Sequence, residues 1–506
     1  MLKVERFSPR HSRSQLQIRS RVLKSLQQHL FHQSLPANTL ISIHNIEMPG
    51  PENNAGVRWR SKSSFVLTTV AFCLFTDLFL YALVVPILPF LLQDRLSLPA
   101  EDVQPYTSGL LAAYSGASVL FSIPSGWIAD RFSSRKPTFL AGWFFLVAGT
   151  ALFVTGQSFT ILLLARIFQG MAAAVVWTVG LAIVQDSVGS GKLGQAIGAI
   201  FSVVTTGELI APALGGVLYD AAGMDTVFWL SAATLGIELI LLLLVVESKT
   251  LGAEQTCRAQ DHDAESSQAN EETRLLPAIP DDKYRIEGEV GSIFRALPIL
   301  YCFRETRLLV ALGLTAVQGS ILGAFDATIP TEAAALFHFS SFKAGLLFTA
   351  LILPYIGLGP VAGMATDKYG TKLVATYGYA LMTPSLALLG IPSRSFLPGV
   401  GNLVLFCVIL MFNGVSLGIV SSPSFVDASD LTSKYEAANP GFFGDNGPYA
   451  QIFGFNSLCF FLGLTLGPLA GGAIRDAFGY EYMGPSFALM SGISAVLAHA
   501  YIGQTL

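Results

Sequence analysis

Four ionisable side chains stand inside long apolar runs of this sequence. They are Asp77 in "FTDLFLYALVVPILPF", Arg166 in "LLLARIFQG", Glu208 in "TTGELIAPALGG" and Asp326 in "ILGAFDATIP". On insertion scales a charge at mid-membrane depth costs about 3 kcal/mol, so such residues face a cavity or a partner. A carboxyl there can hold a cation. It can also hold a proton, because taking a carboxylate out of water favours its protonated form. Arginine keeps its charge at any working pH, so Arg166 would act by setting the field around a nearby carboxyl. Each residue also has a plainer reading. Asp77 or Glu208 could be a structural acid bonded to a neighbouring helix. Asp326 could lie near an outer loop, and Arg166 could snorkel to the interface. No Ser–His–Asp, Cys–His or metal-ligand spacing appears in the loops, and no nucleotide-binding glycine loop. The sequence therefore points to no catalytic residue, no metal and no cofactor. The five cysteines, Cys73, Cys257, Cys302, Cys407 and Cys459, are an odd number without metal spacing. Three of them, Cys73, Cys407 and Cys459, fall in apolar runs and read as small core residues.

The elements that must hold these groups follow from composition. The chain has 506 residues, 52% hydrophobic and 13% charged, with a net charge of -4. Soluble domains are about 25% charged. A run of roughly 20 apolar residues covers ~30 Å of hydrocarbon as an α-helix. Twelve such spans are expected: 64–92, 106–129, 137–156, 159–184, 194–218 and 226–246, then 307–331, 343–365, 373–392, 401–427, 449–473 and 482–504. They form two six-helix bundles, 64–246 and 307–506, preceded by a basic tail at 1–63 and joined by a polar linker at 247–306. The tail and linker have little to bury and are expected to be largely disordered. Residues 1–47, rich in Arg and Ser and poor in acids, have the composition of a transit peptide or of a cytoplasmic tail; Met48 is an alternative start. The linker's "EETRLL", Glu271 to Leu276, fits a short acidic dileucine pattern. Lys and Arg mark cytoplasmic loops. With the N-terminus inside, alternation puts nearly all of them on that side and leaves Arg95, Lys343, Arg394 and Arg475 outside.

Two motifs repeat at matching places. "GWIADRFSSRK" ends span 2, with Gly126, Asp130, Arg131, Arg135 and Lys136. "GMATDKYGTK" ends span 8, with Gly363, Asp367, Lys368, Gly370 and Lys372. "APALGGVLYDAAG" from Ala211 and "GPLAGGAIRDAFG" from Gly467 likewise end spans 5 and 11. Matched motifs mean two parallel repeats, with a binding site expected near midplane between them. In span 5, Gly198, Gly207, Gly215 and Gly216 would let backbones approach closely, and Pro212 would bend the helix.

On these residues the chain resembles the major facilitator superfamily, over roughly 64–504, and within it the drug:proton antiporters. The loop after span 2 resembles the family's G-x-x-x-D-R-x-G-R-[RK], with Ser133 in place of the Gly and Ser134 in place of the Arg after it. "RIFQG", with Arg166, Gln169 and Gly170, resembles the family's R-x-x-Q-G. The span 5 glycines resemble the antiporter signature, with Ala211 before Pro212. The segment from Asp77 and "FDATIP" around Asp326 are similar to spans 1 and 7 of the vesicular amine transporters. Those carriers pair a Lys in span 2 with an Asp in span 11. Here span 2 offers Tyr114 or Ser115, and span 11 offers Asn456 and Ser457, so both partners are absent together. The resemblance implies that Asp130 caps the N-terminal end of span 11 and Asp367 that of span 5, closing the cytoplasmic side. Trp177 and Asn413 either line the cavity or pack as ordinary helix residues.

The expected molecule is an all-α membrane protein of twelve helices, embedded in lipid, acting as a monomer, without nucleic-acid partners. Its expected function is exchange of a small hydrophobic or cationic compound for protons, at the plasma membrane. The alternative is proton-coupled import of an amine-like cation into a vacuole or vesicle. A receptor on a transporter fold would leave the buried acids unexplained.

Overall fold

Backbone N–H and C=O groups find no water in hydrocarbon, so a chain this apolar crosses as helices that satisfy themselves. The computed structural model describes residues 60–245, 282–286, 294 and 297–503, apart from 98, 340, 395–398 and 445. The helices in the first part are α1 (Ser63–Val84), α2 (Leu88–Leu96), α3 (Ala100–Arg131), α4 (Lys136–Thr155), α5 (Phe159–Val188), α6 (Leu193–Ala222) and α7 (Met224–Leu244). In the second part they are α8 (Thr306–Phe337), α9 (Ser341–Tyr369), α10 (Thr371–Ala387), α11 (Val400–Val420), α12 (Pro423–Ala438), α13 (Tyr449–Phe478) and α14 (Tyr480–Tyr501). Among the described residues, 11 helical stretches are long and apolar enough to cross a membrane. Helix α3, with 32 residues, is also long enough but more polar. Large apolar side chains face outward, including Leu120, Phe144, Trp229 and Val400 at 63–76% exposure. In water these would be liabilities; against lipid tails they are not.

Two departures from the expected spans have clear causes. Span 1 is broken: α1 stops at Val84 and α2 starts at Leu88. Pro86 lacks an N–H and its ring crowds the carbonyl a turn earlier, whereas Pro89 falls in the first turn of α2, where proline is tolerated. Span 10 does not end at 427. After a turn, Pro423 opens α12, which runs to Ala438. The polar "DASDLTSKYEAA" looks like a loop, yet Asp427 is buried. Its carboxylate accepts from Arg307 Nε at 2.9 Å and Nη2 at 2.6 Å, from Thr371 at 2.7 Å and from the Gly503 amide at 3.0 Å.

Within 247–306, Pro298–Arg304 forms a 3-10 helix with Ile299 and Cys302 buried. Tyr284 is buried too, edge-on to Tyr435 of α12 at 5.2 Å. Residues 247–281, with Cys257 and the dileucine pattern, and residues 1–47 lie outside the described residues. Of the other cysteines, Cys73 and Cys302 are buried, Cys407 and Cys459 half-buried.

Candidate translocation site and gate

The two repeated motifs build the same contact twice. Asp130, near the end of α3, accepts from the Ala450 amide at 3.1 Å and the Gln451 amide at 2.9 Å, in the first turn of α13. Asp367, near the end of α9, accepts from the Gly194 amide at 2.7 Å and the Gln195 amide at 2.9 Å, in the first turn of α6. A carboxylate on the free N–H groups of a first turn also meets the positive end of the helix dipole. Four residues before each acid stands the glycine that permits the approach. A Cβ on Gly126 would strike the Ala450 carbonyl and the Gln451 Cα; one on Gly363 would strike the Gly194 carbonyl and the Gln195 Cα. Both contacts join the first six-helix part to the second, so this end of the molecule is closed.

The basic members of the motifs behave differently. Arg131 lies over the Trp127 ring at 3.9 Å and Lys368 over the Tyr369 ring at 5.1 Å; neither reaches the opposing helix end. Arg135 does. It is buried, donates to Asp130 Oδ1 at 2.9 Å and to the Asn446 carbonyl at 3.1 Å, and also pairs with Asp186 at the end of α5. Asn446 in turn donates to the Phe132 carbonyl. Arg135 was visible as a basic motif residue, but its role depends on Asp186 and Asn446, which no spacing links to it.

The span 5 glycines divide by face. Gly198 packs on the Gly359 carbonyl of α9, while Gly207 meets the Phe75 ring and Gly215 the Leu83 carbonyl of α1. Gly216 meets nothing, so it serves no close approach here. Pro212 lies inside α6.

Asp77 is 1% exposed on α1. Its Oδ2 accepts from the Tyr114 hydroxyl at 3.1 Å and from the Trp177 indole at 3.3 Å; its Oδ1 has no hydrogen-bond partner. Gly170 of "RIFQG" allows this, because a Cβ there would strike the Tyr114 carbonyl and push α5 off α3. Tyr114 thus gives the acid a neutral donor. Asn456 of α13 accepts from Thr315 of α8 at 3.2 Å. Tyr114 stacks on Tyr81 at 4.4 Å. Arg166 lies over the Tyr81 ring at 5.6 Å and the Phe153 ring at 4.9 Å, with Gln169 accepting from it at 3.1 Å. It is fully buried, so it does not snorkel, and two of its nitrogens are unpartnered. Aromatic faces meet its charge.

Glu208 and Asp326 form a second group. The two carboxyls lie within electrostatic reach of one another and of Tyr81. Glu208 is half-buried. Asp326 is exposed. Helices α1 and α8, which carry Asp77 and Asp326, share no extended contact among the described residues, unlike α3 with α13 and α6 with α9. Tyr81 therefore links the Asp77–Arg166 group to the Glu208–Asp326 group. Asn413, buried in α11, bonds Ser385 of α10 and packs as a helix residue. The reading of the sequence also passed over Glu238 in "GIELILLLL" of α7, fully buried beside Cys73 and within reach of Asp77. An acid in so apolar a run was there to be noticed.

Comparison with known proteins accords with this architecture. A family profile described as Major Facilitator Superfamily matches residues 70–439 and 308–505. The chain is 48% identical over 475 residues to the MFS-type transporter ppzB of Metarhizium rileyi (strain RCEF 4871), covering 90% of this chain and 98% of that protein. It is 29% identical over 219 residues to the vesicular acetylcholine transporter of Drosophila melanogaster, covering 39% of this chain and 38% of that one. The crystal structure of the human organic anion transporter MFSD10 (TETRAN) shares its fold, with a TM-score of 0.61 at 17% identity over 86% of this chain and 99% of that one. The chain belongs to the major facilitator superfamily of membrane transporters.

Proposed function

We propose that this transporter is a proton-coupled antiporter that exports a small hydrophobic or cationic organic compound, with a single chain as the functional unit and the plasma membrane as its site. One observation carries the reading. Three acids from three helices share one neighbourhood: Asp77 accepts from Tyr114, Tyr114 stacks on Tyr81, and Glu208 and Asp326 lie within electrostatic reach of Tyr81. No lysine or arginine forms an ion pair with any of them among the described residues. Carboxyls so placed are free to hold a cation or a proton. Substrate and proton then compete for the same groups, and binding one promotes release of the other. Arg166, held by Gln169 and two rings, fixes a positive field behind Tyr81 and Tyr114.

Neutral isosteres test the reading: Asp77→Asn, Glu208→Gln and Asp326→Asn, in reconstituted vesicles with a panel of hydrophobic and cationic compounds. A proton-coupling residue loses gradient-driven transport and retains substrate exchange; a pure substrate contact loses both. Transport like the parent's at every pH in all three variants would make the acids structural. A second reading, import of an amine-like cation into an acidic vacuole or vesicle, is favoured by the likeness of part of the chain to the vesicular acetylcholine transporter. The chemistry is the same. Localisation of a fluorescent fusion in the native host separates the two.

A further inference from the structure

Trp177 touches both the candidate proton site and the closed interface. Its indole N–H donates to Asp77 Oδ2 at 3.3 Å. Its ring stacks on Phe460 of α13 at 5.9 Å and meets Phe461 edge-on at 6.1 Å. Phe201 of α6 extends the layer: it lies 5.4 Å from Trp177 and edge-on to Phe425 of α12 at 5.5 Å. All five rings are buried. Two of them belong to the first six-helix part and three to the second. The layer sits just inside the gate contacts, since Gly454 of α13 packs on the Ser122 carbonyl and on Thr178, the neighbour of Trp177. Opening this end therefore requires Trp177 to part from Phe460 and Phe201 from Phe425.

We infer that Trp177 couples the state of Asp77 to this interface, its N–H sensing whether the carboxyl is charged and its ring holding the two parts together while it is. The inference rests on the role proposed for Asp77 above. A hydrogen bond to an ionised carboxylate is roughly twice as strong as one to its neutral form. An empty, charged Asp77 grips the indole and keeps the aromatic layer assembled. A proton or a bound cation neutralises the carboxyl, weakens the grip and lets the layer part. Both loaded forms reorient and the empty form does not, which is the rule an exchanger needs to avoid slippage. The other groups facing Asp77 cannot do this. Tyr114 from α3 stacks on Tyr81 of the same six-helix part, and Cys73 on α1 and Glu238 on α7 lie on that side as well. Arg166 reaches Asp77 only through the field it sets on Tyr114.

The proton itself is the probe. Spin labels at Ser190 and Lys368, in the full chain with its native cysteines replaced and held in lipid nanodiscs, report separation across the closed end. In the parent, acidification shifts the distance distribution from closed to open by about tenfold in the population ratio, the difference between a charged and a neutral hydrogen bond. Trp177→Phe keeps the ring and loses the N–H, and is expected to abolish the response to pH. Asp77→Asn is expected to sit open-shifted at every pH. Should Trp177→Phe fail to fold, Phe460→Leu cuts the lever on the far side and is expected to lose the response too. A parent-like response in Trp177→Phe or in Phe460→Leu overturns the coupling role of Trp177 while leaving Asp77 in place. A parent-like response in Asp77→Asn overturns the role of Asp77 itself.

Discussion

At Glu238 a fully buried carboxyl sits in α7 with the Cys73 thiol, a weak donor, beside it. A thiol is a poor partner for a charge, and an unpaired charge at that depth costs about 3 kcal/mol. Replacing it with an isosteric amide removes the risk of a stray charge without changing the packing. Glu238→Gln is thus expected to melt at the same temperature as the parent or a few degrees higher, and to retain gradient-driven transport. Thermal unfolding and vesicle uptake measured on one preparation check this. Lost transport at unchanged stability would instead make Glu238 a working proton site. The candidate site was partly legible for a simple reason: a charged residue is conspicuous in apolar text, and Asp77, Arg166, Glu208 and Asp326 all stood out that way. What holds them was much less so. Tyr114, Tyr81 and Phe153 look like ordinary aromatic residues of a span, and their roles depend on which helices touch, through glycines such as Gly170. The sequence suggested that Arg166 would act through its field on a nearby carboxyl; what it did not show is the immediate contact, a hydrogen bond to Gln169 and two aromatic faces.

Among the helices, glycine placement decides which ends can close. Gly126 and Gly363 lie where a Cβ would meet backbone atoms of α13 and α6, which have no side-chain freedom to yield. Overpacking of that kind costs about 1–3 kcal/mol. Since 1.4 kcal/mol is tenfold in an equilibrium, Gly126→Ala and Gly363→Ala are expected to shift the closed end toward open by roughly five- to a hundredfold. Gly216→Ala, with nothing near its Cβ, is expected to change nothing. Thiol labelling of a cysteine at buried Ser202, beside Gly359, reads the difference; equal labelling in all three variants would refute this account of the gate. Asp130→Asn attacks the same contact through charge. It weakens the cap on α13, worth a few tenths to ~2 kcal/mol, and deprives buried Arg135 of one carboxylate. The folded protein is expected to open at this end, with faster labelling at Ser202; unchanged labelling would count against it. The helices themselves were legible because twenty apolar residues admit few alternatives. The break at Pro86 and the run of α12 to Ala438 were not. The first depends on whether a proline falls in a first turn or an interior, and the second on Arg307 arriving from more than a hundred residues away to neutralise Asp427.

For the molecule as a whole, the number of crossings fixes the side on which the C-terminus lies, and α3 is the helix that decides it. Its 32 residues are more polar than those of the other spans. A segment like that crosses when its polar groups face protein, where partners replace water. Tyr114 bonds Asp77, Ser118 bonds the Gly170 carbonyl at 3.1 Å, and Ser122 bonds the carbonyl of Ser118 at 2.6 Å, all three buried, while Leu120 and Phe121 face outward. The ends of α3 require the same. Its C-terminal Asp130 meets the start of α13, and Arg135 just beyond it meets the end of α5. Those two ends lie on the side that the basic residues assign to the cytoplasm. The few cations assigned to the other side all have local partners. Arg95 caps the end of α4 through the carbonyls of Phe153 and Val154, Arg394 pairs with Glu481 at 3.0 Å, Arg475 lies 3.7 Å from Glu332, and Lys343 sits over the Phe339 ring. We propose twelve crossings, six on each side of the linker, with the linker and both tails together in the cytoplasm. Epitope tags at residue 2, at residue 265 and after Leu506 are each expected to stay protected in intact cells and to become accessible on permeabilisation. A C-terminal tag exposed while the tag at 265 stays protected would mean an odd number of crossings in the second part. A surface-exposed tag at 265 would mean that α3 or another helix of the first part does not cross, and the matched gate contacts of Asp130 and Asp367 could not then lie on one side of the membrane.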